Sequence, residues 1–60
     1  MDSFKYDKTS SFEANFQTWY SMNTKERMMH NEEVYELKEA RVVFENYLRT
    51  TFPSLIFKIG

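Results

Sequence analysis

The chain has 60 residues, with eight basic and nine acidic side chains, one His, one Gly, one Pro and no Cys. A single small domain spanning 1–60 is all this length accommodates, and such a chain buries only about 60% of the surface it exposes when unfolded. Without Cys there are no disulfides or thiolate metal sites, and one His leaves too few ligands for a structural zinc.

With 42% apolar and 18% aromatic residues, the composition is that of a folding chain rather than a disordered one. Small scaffolds usually rely on a disulfide, a metal or a partner chain to reach even about 3–5 kcal/mol. Here packing of large aromatics or self-association has to serve, so a homodimer is expected. The net charge of −1 argues against binding nucleic acid through bulk charge, and also against an acidic DNA mimic. The apolar runs Val42-Val43-Phe44 and Leu55-Ile56-Phe57 are far short of a membrane span, and the first residues lack the apolar core of a signal peptide. The expectation is a cytoplasmic protein with no membrane partner and no cofactor.

Residues 3–8 alternate, with Phe4 and Tyr6 on one side and Ser3, Lys5 and Asp7 on the other. That pattern predicts a short strand or an extended arm. Thr9-Ser10-Ser11 interrupts it, and Ser10 followed by Glu13 reads as a capping box. The period then lengthens to 3.6. Phe12, Phe16, Trp19, Tyr20 and Met22 share an arc of roughly 160°, predicting an amphipathic helix over about 11–22 that Asn23-Thr24 should end. A bend is expected near His30–Asn31, with Asn31-Glu32-Glu33 capping a new helix and Met28-Met29 plugging the seam between the two.

The second helix is predicted over 32–50, where Val34, Leu37, Ala40, Phe44, Tyr47 and Leu48 form a face about 140° wide. Glu32, Glu33, Glu36 and Glu39 crowd its beginning and Arg41 and Arg49 its later turns, as the helix dipole favours. Pro53 stops it, and Ser54 to Ile59 is β-prone, with Leu55, Phe57 and Ile59 on one face. The fold class expected is therefore α+β, mostly helical. It comprises a short N-terminal strand, two antiparallel helices and a C-terminal strand able to pair with the first. The alternative is an all-α helical hairpin with extended termini.

Signatures of catalysis are sparse. One Gly cannot build a phosphate-cradling loop, and no nucleophile elbow surrounds any Ser. Glu32, Glu36 and Glu39 read as a solvated acidic face, and His30 as an exposed linker residue, so no enzyme and no metal site are expected.

Two kinds of sticky surface remain. Tyr35 and Val42, one heptad apart and flanked by Lys38 and Arg49, form an aromatic and aliphatic centre with a polar rim, the anatomy of a protein interface. Trp19 and Tyr20 join them as candidates, because the aromatic face of the first helix is wide for a partner of this length. The alternative site interleaves aromatic and basic residues, Phe4, Lys5, Tyr6, Phe57 and Lys58, as platforms for single-stranded nucleic acid do. The leading expectation is a non-catalytic protein-binding module, an inhibitor, adaptor or regulator of a larger protein. Short phage and mobile-element reading frames supply many proteins of this size and kind. A small single-stranded nucleic-acid-binding regulator is the alternative.

Overall fold

The computed structural model describes residues 4–52. Two helices, α1 (Phe12–Met29) and α2 (Leu37–Thr51), form a hairpin, and there is no strand among the described residues. This is the all-α arrangement. The predicted C-terminal strand, with Phe57 and Lys58, lies outside the described residues. The N-terminal strand is not formed, although its alternation survives: Phe4 is buried, Lys5 exposed and Tyr6 half-buried. The pattern that suggested a strand is that of an irregular arm laid on the helices.

Ser11 rather than Ser10 caps α1. Its Oγ accepts from the Ala14 N–H at 3.0 Å, satisfying a donor of the first turn. The capping-box reading fails because Ser10 turns back to donate to Asp7 Oδ2, and Glu13 reaches across to Arg41. α1 also runs seven residues past the expected stop at Met22. Asn and Thr lower helix propensity only slightly, and the strong formers Lys25, Glu26, Arg27, Met28 and Met29 follow without a Gly or Pro.

The end of α1 is set by backbone geometry. Asn31 adopts φ 60°, the left-handed conformation that Asn tolerates better than most residues. The Glu32 N–H then donates to Arg27 O at 2.8 Å and the Asn31 N–H to Met28 O at 3.2 Å. Those two bonds are a Schellman motif. The expected bend near His30–Asn31 is there, but Asn31 closes the first helix instead of opening the second.

α2 consequently begins at Leu37, five residues later than expected. Residues 32–36 form a strap pinned against α1. Arg27 Nε donates to Glu33 O at 2.6 Å, and the Tyr20 hydroxyl donates to Tyr35 O at 2.8 Å. At its other end α2 stops at Thr51, two residues before Pro53, as the steric demand of a proline on its neighbour requires.

The strap runs back along α1, so α2 starts level with Tyr20 and packs on the N-terminal half of α1. Arg41 meets Glu13, and Tyr47 lies 6.2 Å from Trp19 between ring centroids. The contact that results is the helical hairpin of the alternative reading, made by α2 on the N-terminal half of α1. The core at this contact consists of Phe4, Phe16, Trp19, Ala40, Phe44 and Leu48. Ala40, without a large side chain, lets the helices approach. Phe44 sits among the rings of Phe4, Phe12, Phe16, Trp19 and Tyr47, with centroids 5.0–6.4 Å from its own in tilted, edge-on and stacked arrangements. Leu37 and Val34 fall outside this core and are largely exposed, since Val34 belongs to the strap and Leu37 to the first turn.

Truncating a buried Phe to Ala typically costs about 3–5 kcal/mol, as much as a chain of this size has available. Phe44→Ala is therefore expected to abolish cooperative unfolding and most helix signal in far-UV circular dichroism at 25 °C. A variant that kept the helicity and melting temperature of the parent would remove Phe44 from the centre of the core.

Candidate protein-binding surfaces

Two polar clasps position the surfaces. The first is Asn15, buried on α1 one turn from its start. Its Oδ1 accepts from the Asp7 N–H at 2.7 Å, and its Nδ2 donates to Asp7 O at 3.0 Å and Ser11 O at 2.8 Å. A primary amide has both a donor and an acceptor, so it can pair with both backbone groups of Asp7. Asp7 organises its own turn: Oδ1 accepts from the Thr9 hydroxyl at 2.6 Å and the Thr9 N–H at 2.9 Å. The Thr9 hydroxyl, then the Thr9 amide and the Ser10 hydroxyl, hold the Asp7 carboxyl below the usual carboxylate range.

The second clasp is Arg27. Its guanidinium lies 4.3 Å from the centroid of the Tyr35 ring and 3.6 Å from a Glu32 carboxylate oxygen, besides bonding Glu33 O. At the opposite end of the molecule Arg41 makes a two-pronged pair with Glu13, at 2.7 and 2.9 Å, and stacks over Phe16 at 4.5 Å. The Arg41 bonds, with a smaller contribution from Gln17, lower the Glu13 pKa from its ordinary value.

These clasps decide which candidate residues come together. Tyr35 does not share a helix face with Val42: it lies in the strap, half-buried, engaged by Arg27 and packed against the core. The heptad spacing that joined the two holds only if residue 35 is helical, and the pinned strap prevents that. Val42, Lys38 and Arg49 do share the outward face of α2, where Val42 is 58% exposed. Trp19 is 7% exposed and its ring faces Phe44 and Tyr47. Tyr20 is half-buried, stacked on Phe16, with its hydroxyl used on the strap. Neither is an open anchor. In the alternative set, Phe4 is buried against Phe44 and Tyr47 and Tyr6 packs on the core, while Lys5 is exposed.

The periodicity misplaced Met28 and Met29. Instead of plugging a seam they protrude from the last turn of α1, 63% and 72% exposed. They border an open groove of about 630 Å³ lined also by Tyr20, Ser21, Thr24 and Lys25. The reason is where α2 packs: its contacts fall on Phe12, Glu13, Phe16 and Trp19, in the first half of α1. A large exposed Met pair is a soft, adaptable surface of the kind that protein interfaces favour.

No helix among the described residues is long and apolar enough to cross a membrane, and no three His, Asp or Glu side chains there are grouped to hold a metal ion. Comparison of the sequence and structure with protein-family models, with curated proteins and with solved structures finds no match.

Because Glu13 and Asp7 titrate lower in the folded chain than in the unfolded one, the stability they contribute is present above the ordinary carboxylate range, about pH 3.9–4.3, and is lost as the pH falls through their lowered values. The melting temperature is expected to be level near neutrality and to drop in acid. Glu13→Gln should melt lower at pH 7 and show a shallower acid drop. Parallel curves for the two proteins from neutral to acid pH would mean that the Arg41 pair contributes nothing.

Proposed function

We propose that this protein is a non-catalytic binding module that acts, as two copies, by occupying a surface of a larger protein. The observation that carries this reading is the placement of its exposed apolar side chains. The core is closed by aromatics, yet Val42 on α2 and Met28 and Met29 on α1 are left in solvent, where a chain with so few large aliphatics gains nothing from them in isolation. The larger partner is assigned to the outward face of α2. There Val42 is ringed by Lys38, Glu45 and Arg49, an apolar centre inside a charged rim. Burial of Val42 would supply affinity, and the rim orientation and rate.

Binding of single-stranded nucleic acid is the weaker reading. Stacking needs a free ring face, and Phe4 is buried against Phe44 and Tyr47 while Tyr6 is half-buried against the core.

A photo-crosslinking amino acid at position 42, introduced in the native cell, tests the proposal. One discrete adduct with a larger protein is expected, lost when Lys38 and Arg49 are both changed to Glu. No adduct, or one that the charge reversal leaves unchanged, contradicts the assignment of this face.

A further inference from the structure

We draw no further inference here: the strongest candidate, the open groove beside Tyr20, Thr24, Met28 and Met29 in the C-terminal half of α1, carries no proposal because nothing in the structure shows what covers it.

Discussion

Everything in this fold depends on closing a core around Phe44 without a disulfide. The chain has no Cys, and its short helices would be marginal in water alone. Phe44 is fully buried midway along α2, where rings from the N-terminal arm, both ends of the α1 contact and the next turn of α2 converge on it. Aromatic pairs in tilted and edge-on geometry add about 0.5–1.5 kcal/mol each beyond the area they bury. In a chain where a few kcal/mol decide folding, that surplus is what remains when other cross-links are missing.

The polar clasps then determine which parts of the chain can reach that centre. Asn15 holds both backbone groups of Asp7, so the arm bearing Phe4 is led back over the core instead of fraying. Arg27 and Tyr20 fasten the strap, which delays α2 by five residues and moves its origin down α1. The packing of α2 on the N-terminal half of α1, and hence the exposure of Met28 and Met29, follows from that delay. A buried amide is costly when unpaired, so the multiple bonds of Asn15 are a condition for its position.

Much of this was legible in the chain before any coordinates. The stripes holding Phe16, Trp19, Ala40, Phe44 and Leu48 have helical period, and each of those residues is buried. The stop before Pro53 and the bend near Asn31 were also readable. What periodicity could not supply is the partner of a polar group. Asn15 falls within the apolar arc of α1, between Trp19 and Met22, and periodicity gives no partner for its amide; only the arm folding back makes it a clasp. Asn31 with the acids after it reads as an N-cap, yet it closes α1 in the left-handed conformation, which shifts the start of α2 and removes Tyr35 from its face. The strand reading of Phe4 to Tyr6 had the alternation right and the partner wrong. Burial on one side can come from helices as well as from a neighbouring strand.

The surfaces left over follow the same logic. Side chains assigned to partners because they are aromatic, Trp19 above all, are needed by the core, and those available to partners are aliphatic and sulfur-bearing ones outside it. The claim on which the rest stands is that the rings converge on Phe44 within one chain. It is tested most directly by solution NMR on protein dilute enough to be monomeric, through proton–proton contacts from the Phe44 ring. Cross-peaks to Phe4, Phe12, Phe16, Trp19 and Tyr47 are predicted. Contacts from Phe44 confined to its own helix, to Ala40, Tyr47 and Leu48 alone, would contradict the account.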